Sequence, residues 1–166
     1  DMIVKKFKLY SKKYNKENIK IIFSGRKTGL RDDVVKVINE LEEKTKNNTR
    51  GIINFCLNYG GHSEIIDATK KIYEDINNGA LSIDELNEDI YSKYLYQDLP
   101  SIDFLIRTSG ENRVSNFMLW QISYAEFYFP KTYFPDFNEE EFEIALLEYN
   151  KRDRRFGGIK YENKNN

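Results

Sequence analysis

Apolar segments of strand length alternate with segments of helical periodicity, and this alternation constrains the fold more than any other feature. The runs at 19–25, 51–59 and 102–108 are rich in β-branched residues, and each is followed by glycine or polar residues. Such runs are typical of strands that are buried on both faces. Strands that alternate with helices pair in parallel. We therefore predict an α/β fold, with a mostly parallel sheet covered by helices on both faces.

The intervening segments carry apolar residues at the spacing of amphipathic helices. This spacing predicts long helices and a short helix that begins at Ser82, where Ser82 and Glu85 match a capping box. The segment FYFP, at 127–130, is predicted to be extended. The long helices are predicted at 3–15, 31–46, 65–77, 117–124 and 139–150.

Residues 1–158 are predicted to form a single α/β domain, and the polar residues 159–166 a disordered tail. The chain has one Cys and one His, which excludes an internal disulfide and a zinc site built from several histidines. Because residues close to Asp1 already show helical spacing, we expect the chain to be truncated at its N-terminus.

The charges of the chain nearly cancel. There are 26 Lys and Arg residues against 27 Asp and Glu residues, for a net charge of -1. This balance gives no overall field to attract nucleic acid, so we expect no nucleic-acid partner.

No apolar run approaches the roughly 20 residues that span a bilayer. We expect a cytoplasmic protein in which any anion site is local.

The segment IRTSGENRVSNF, at 106–117, is the clearest candidate for a binding site. Arg107 lies at the carboxyl end of the third predicted strand, where ligands bind in open parallel sheets. Arg113 and Ser115 follow, and Gly110 lets the backbone come close to a ligand. Ser115 is placed at the start of the next predicted helix, whose N-terminal amides favour an anion. Together these groups predict a site for a diphosphate.

Glu111 lies between the two arginines of this segment. A carboxylate beside a phosphate is repulsive unless it orients an arginine or contacts a bridging cation, for which Mg²⁺ is the obvious candidate. The alternative is a surface network in which Arg107 and Arg113 pair with Glu111 and Asp103. Such a network would contribute little to stability.

These residues stand in a longer run that resembles a known family. The run DFLIRTSGENRVSNFMLWQISYAEFYFPKTYFPDF, at 103–137, resembles the signature region of cis-prenyltransferases of the undecaprenyl diphosphate synthase, or isoprenyl transferase, type. NYGGHSEI, at 58–65, resembles a second signature block, and RDRRFGG, at 152–158, resembles the C-terminal tail of the family. The resemblance covers nearly the whole chain from about Ile19.

The resemblance implies a transferase that adds isopentenyl diphosphate units to an allylic prenyl diphosphate with cis geometry. The product class would be polyprenyl diphosphates, such as undecaprenyl diphosphate, the precursor of the cell-wall lipid carrier. The resemblance also implies Mg²⁺ as the cofactor, a homodimer, and peripheral membrane contact through the lipid product.

The resemblance assigns roles to particular residues of this chain. Glu126 would contribute to the magnesium site, although it lies eleven residues after Ser115. That separation is about 16 Å along an unbroken helix, so reaching the same phosphate requires a bend or a second subunit. Isopentenyl diphosphate would be held by Arg107, Arg113, Val114 and Ser115, with supporting roles for Asn58, Gly110, Glu111, Asn112, Arg155 and Gly157.

The chain departs from the family pattern in three places. His62 stands where arginine is usual, and Asn112 stands where some members have histidine. The chain also contains no Asp-Gly-Asn-Gly-Arg loop, whose aspartate is central to magnesium and allylic diphosphate binding in the family. We therefore expect no catalytic residue in this chain and no activity from it alone.

Two other functions are weighed against this one. Some cis-prenyltransferases contain a noncatalytic partner subunit that lacks the phosphate-binding residues, but Arg107, Arg113, Ser115 and Glu126 are all present here. A nucleotide-binding module is disfavoured because the chain has neither a dinucleotide-binding glycine motif nor a P-loop.

Overall fold

The computed structural model describes residues 2–152, and the chain divides into two compact units, Asp1–Leu99 and Pro100–Asn166. Within residues 2–152, each unit contains one pair of parallel strands. The α/β class and the parallel pairing are therefore confirmed, with the strands in two pairs. The prediction that residues 1–158 form a single domain stays a prediction.

The first unit follows the predicted alternation closely. The short helix predicted from Ser82 is two elements, because Asn87 begins a new helix by accepting a hydrogen bond from the Ile90 amide at 2.9 Å. The first of them is a single 3-10 turn, Ile83–Glu85, with the predicted capping box. The second is helix α4 (Glu88–Lys93), and the remaining elements of this unit are α1 (Met2–Lys16), β1 (Ile19–Ser24), α2 (Asp32–Thr45), β2 (Gly51–Cys56) and α3 (Gly61–Asn77).

The core of the first unit lies where α1 and α2 pack on β1. Strands β1 and β2 run in parallel from the Ile19–Gly51 pair to the Ser24–Cys56 pair. Buried apolar side chains of β1 and α2 fill the interface. They are Ile21, Phe23, Val34, Val37, Ile38 and Leu41.

The edge of β1 that faces away from β2 is bonded to side chains of α2. The Ile21 amide donates to Thr45 Oγ1 at 2.9 Å, and the Phe23 amide donates to Glu42 Oε1 at 3.1 Å. Thr45 is fully buried, and its hydroxyl also donates to the Leu41 carbonyl at 2.9 Å. Helix α2 thus covers this strand edge with hydrogen bonds as well as with apolar surface.

Gly25 lies where the chain leaves β1 and passes very close to the loop after β2. Its φ is +127°, a backbone conformation that L residues rarely adopt. A Cβ atom at this position would lie 2.0 Å from the Leu57 carbonyl oxygen and 3.1 Å from that of Asn58. The two loops at the carboxyl ends of the strands therefore approach to a distance that only glycine permits.

The second unit contains β3 (Phe104–Ile106), β4 (Glu126–Tyr128), a 3-10 turn (Phe134–Asp136) and α5 (Glu139–Asn150). The strands pair in parallel from Phe104–Glu126 to Ile106–Tyr128, and α5 packs against β4. Asn138 begins α5 by accepting a hydrogen bond from the Glu141 amide at 3.1 Å. The third predicted strand, the extended segment before Pro130 and the last predicted helix are thus confirmed.

The helix predicted at 117–124 is wrong. Residues 115–124 form successive turns, because Ser115, Asn116 and Met118 adopt left-handed backbone angles, with φ of 46°, 62° and 45°. Met118 lies inside the predicted helix, and a left-handed residue there interrupts a right-handed helix. Within residues 2–152, no helix is long and apolar enough to cross a membrane.

Candidate functional site

Arg107 lies at the carboxyl end of β3, as the sequence predicts. Its backbone amide donates to the Tyr128 carbonyl at 2.9 Å. This bond extends the strand pairing by one residue and fixes the backbone position from which the Arg107 side chain projects. Ligands of parallel α/β sheets bind beyond this end of the strands. The fold thus places one guanidinium where an anion is expected.

A tight turn follows Arg107. Ser109 and Gly110 both have left-handed backbone angles, with φ of 71° and 66°. Their amides donate to the Thr132 and Pro130 carbonyls, each at 2.8 Å. This turn ties the loop after β3 to the segment after β4. A Cβ at Gly110 would meet no atom closer than 3.9 Å, so the positive φ is the reason for glycine here.

Three of the predicted diphosphate-binding residues line one cavity. Arg107, Val114 and Ser115 surround a space of about 320 Å³. Its remaining wall is apolar, with Leu105, Ile106 and Phe117. This size is at the lower end for small-molecule sites, which combine apolar walls with a few polar groups. The cavity is suited to a small anion that has a short apolar part.

Ser115 does not begin a helix, so the expected contribution of a helix N-terminus to anion binding is wrong for this segment. What the segment offers instead is a turn in which the Phe117 amide bonds the Val114 carbonyl at 3.0 Å. Among the residues that line this cavity, Arg107 and Ser115 are those with polar side chains.

Arg113 forms an ion pair with Glu111. This pair is one of those in the surface network that the sequence offered as the alternative to a diphosphate site. The Arg113 side chain is 65% exposed, and Asn112 between the two residues is also exposed. An exposed ion pair of this kind contributes about 0–1 kcal/mol. A phosphate therefore needs little free energy to draw Arg113 away from Glu111, and the role of Arg113 in binding stays a prediction.

Glu126 is not placed beside Arg107. It begins β4 opposite Phe104, whereas Arg107 bonds Tyr128 at the other end of the strand pair. Three residues of strand separate the two positions by about 10 Å. The Glu126 carboxylate instead accepts a hydrogen bond from Arg152 Nη1 at 2.7 Å.

The predicted role of Glu126 in a magnesium site stays a prediction. The Arg152 guanidinium contacts one oxygen of this carboxylate, Oε2, and Mg²⁺ is bound through oxygen ligands. Among residues 2–152, no group of three His, Cys, Asp or Glu side chains is placed to hold a metal ion. Dependence on Mg²⁺ stays a prediction of the resemblance.

Asn58, predicted as a supporting residue, lies in the first unit and stabilises a loop. Its backbone is left-handed, with φ of 49°, and its side-chain amide donates to the Arg26 carbonyl at 2.9 Å and the Thr28 carbonyl at 3.1 Å. Asn58 thus holds the loop after β1. Of the remaining supporting residues, Arg155 and Gly157 lie outside the described residues.

A polar cluster near the same loop was missed in the sequence. Arg26 donates two hydrogen bonds to Asp67, at 2.7 and 2.8 Å, and the Tyr96 hydroxyl donates to the same carboxylate at 2.7 Å. The neighbouring Glu64 is buried and accepts hydrogen bonds from the Tyr59 hydroxyl and the Tyr96 amide. The available signal was two acids three residues apart, which share one face of α3.

The Arg26–Asp67 pair predicts an acid-sensitive contribution to stability. Hydrogen bonding to Arg26 lowers the pKa of Asp67 from 3.8 to about 2. The contribution is therefore complete above about pH 4 and is lost as the pH falls towards 2. Because the Arg26 side chain is partly exposed, solvent screening keeps this contribution small. In urea titrations from pH 5 to pH 2, Asp67→Asn should show a shallower loss of stability than the wild type, and identical slopes would contradict this assignment.

Comparison with known proteins identifies similar sequences and structures. The family model described as an undecaprenyl diphosphate synthase matches residues 1–157. An isoprenyl transferase of Fusobacterium nucleatum is 43% identical over 159 residues, which are 96% of this chain and 66% of that protein. A ditrans,polycis-undecaprenyl-diphosphate synthase of Pasteurella multocida, (2E,6E)-farnesyl-diphosphate specific, is 45% identical over 148 residues, or 89% of this chain and 62% of that protein.

A solved structure is similar as well. The crystal structure of lavandulyl diphosphate synthase from Lavandula x intermedia, in complex with dimethylallyl diphosphate, superposes with a TM-score of 0.83 and 32% sequence identity. The match covers 93% of this chain and 69% of that chain. This chain spans 66% of the length of the Fusobacterium nucleatum protein and 62% of the Pasteurella multocida protein, which is less than two thirds in both cases.

Proposed function

The chain belongs to the undecaprenyl diphosphate synthase family, and from that premise we propose that it serves in a cis-prenyltransferase. The reaction is the addition of isopentenyl diphosphate units to an allylic prenyl diphosphate, with cis geometry, to give a polyprenyl diphosphate. The part of the reaction that we assign to this chain is the binding of isopentenyl diphosphate. Homodimer formation, Mg²⁺ dependence and membrane contact through the lipid product are further parts of the proposal.

The observation that supports this assignment best is the cavity lined by Arg107, Val114 and Ser115. Its guanidinium and hydroxyl suit the diphosphate, because charge-assisted hydrogen bonds to phosphate are strong. The apolar side chains Leu105, Ile106 and Phe117 suit the short isoprene unit. The same observation argues against a noncatalytic partner subunit, since such a subunit would not need polar groups at this position.

A titration of isopentenyl diphosphate into the full chain, followed by ³¹P NMR, tests the proposal. We expect saturable binding, weakened about fivefold in Ser115→Ala because one hydrogen bond to the diphosphate contributes about 1 kcal/mol. Ser101→Ala removes an exposed hydroxyl from the same unit and should bind like the wild type. Absence of binding at millimolar ligand, or equal weakening in both variants, would contradict the assignment.

A further inference from the structure

Helix α1 concentrates positive charge on a chain whose charges nearly cancel. Six of its 15 residues are lysines, and none is acidic. Because α1 contributes +6 to a net charge of -1, the residues outside it together carry -7. An anionic partner therefore meets a local positive field at α1 that the overall balance conceals.

The exposed lysines of α1 lie on one side of the helix. At about 3.6 residues per turn, they fall within about 120° of its circumference. Leu9 lies at the centre of this arc, and its side chain is 66% exposed. We call this surface the lysine face, and it consists of Leu9 with Lys5, Lys6, Lys12, Lys13 and Lys16.

The opposite side of α1 is used in the core of the first unit. Val4, Phe7 and Tyr14 pack against the buried cluster of β1 and α2, and Ser11 is buried. These contacts fix the rotation of α1 about its axis. The lysine face therefore points away from the core of this unit.

The charge of the lysine face is not neutralised by ion pairs. Among the side chains that the structure describes, no carboxylate forms a salt bridge with any of its five lysines. Glu40 lines the groove beside Lys12, but Lys44 lines the same groove and balances its charge. The full charge of the face thus acts on a partner.

The chemistry of this face fits the surface of an anionic bilayer. Lysine ammoniums are compact point charges without the planar fork with which arginine grips individual phosphates. They are attracted by the negative potential of anionic lipids, and their aliphatic stems pack on apolar surface. Leu9 adds an apolar side chain that enters the headgroup region. We propose that the lysine face docks α1 on an anionic membrane.

A nucleic acid fits the lysine face less well. Proteins that bind single strands without sequence preference combine positive charge with aromatic side chains on which the bases stack. The lysine face combines its charge with a leucine instead. The negative charge outside α1 is repelled by a membrane that attracts α1, so the two forces together turn the lysine face towards the lipid.

The proposal deepens the membrane contact of the proposed function, and it rests on that function for the presence of a lipid product. Vesicle binding is measured without any diphosphate, so its failure would leave isopentenyl diphosphate binding at Arg107 untouched. Conversely, failure of the chain to bind isopentenyl diphosphate would leave docking of the lysine face open to measurement.

Cosedimentation of the full chain with lipid vesicles tests the proposal. Vesicles of phosphatidylcholine alone are compared with vesicles that contain about one third phosphatidylglycerol. We expect binding to the anionic vesicles alone. This binding should fall steeply as the salt concentration is raised, because salt screens exposed charges.

Variants of the lysine face assign the binding to α1. Lys5→Gln with Lys12→Gln should weaken it about 30-fold, because each lysine near an anionic surface contributes about fivefold. Leu9→Ala should weaken it about fivefold without changing its salt dependence. Lys71→Gln with Lys93→Gln removes the same charge from exposed positions of α3 and α4 and should bind like the wild type.

Circular dichroism verifies that each variant is folded before its binding is interpreted. The proposal is overturned if the wild type does not bind anionic vesicles or if the lysine-face variants bind like the wild type. Equal weakening in the Lys71 and Lys93 pair would indicate a response to net charge and would overturn it too. So would tighter binding to duplex DNA than to anionic vesicles at equal phosphate concentration, which would assign the face to nucleic acid.

Discussion

Replacing Arg107 with alanine is expected to weaken isopentenyl diphosphate binding about 100-fold. Arg107 is the guanidinium that lines the cavity, at the end of a strand that fixes its backbone by hydrogen bonding. Two hydrogen bonds from a guanidinium to phosphate, each contributing about 1.5 kcal/mol, account for this loss. The ³¹P NMR titration used for the wild type measures the change directly.

Two matched variants sharpen the interpretation of the Arg107 result. Arg107→Lys keeps the charge without the planar fork, so we expect an intermediate loss of about tenfold. Arg50→Ala removes an exposed arginine from the first unit, where only its backbone amide forms a described bond to Asn18, and should leave binding unchanged. A similar loss in Arg107→Ala and Arg50→Ala would indicate a response to total charge and not a site.

Gly25→Ala is expected to lower the free energy of unfolding by about 3–5 kcal/mol. The added Cβ would lie 2.0 Å from the Leu57 carbonyl oxygen, a distance that no side-chain rotation relieves because that atom belongs to the backbone. The two strand-end loops would have to separate, which also disturbs the Asn58 bonds to the Arg26 and Thr28 carbonyls. Urea unfolding followed by circular dichroism gives the change.

Gly29→Ala is the matched control for the Gly25 result. Gly29 also has a positive φ, of +85°, but a Cβ there would meet no atom within 4 Å. Its cost should therefore be the backbone strain alone, about 1 kcal/mol. If both variants lose the same stability, the close approach of the two loops is not the cause.

Much of the fold could be predicted because hydrophobic periodicity determined it locally. Strands β1 and β2 and helices α2 and α3 were predicted to within a few residues, and the periodicity is clearest in β1 and α2, whose apolar side chains form the buried core. The segment at 117–124 also has helical spacing, but left-handed residues at its start prevent a helix. Periodicity reports which residues prefer burial and does not report the sign of φ.

The candidate site was predictable only in part, for a related reason. Arg107, Val114 and Ser115 are close in sequence, and one turn brings them into one cavity. Glu126 was assigned to the magnesium site by the resemblance alone, and strand register places it at the end of β4 that lies away from Arg107. Its partner Arg152 is 26 residues away in sequence, and no local pattern indicates such a pair.

The bonding of α2 side chains to β1 has a consequence for association between molecules. A strand edge with unused amides can template the pairing of a strand from another chain, which is the first step of ordered aggregation. At Ile21 and Phe23 those amides are already bonded to Thr45 and Glu42. A nascent or heated chain that retains α2 therefore shields this edge of β1 from strands of other molecules, and loss of that helix would expose the edge to them.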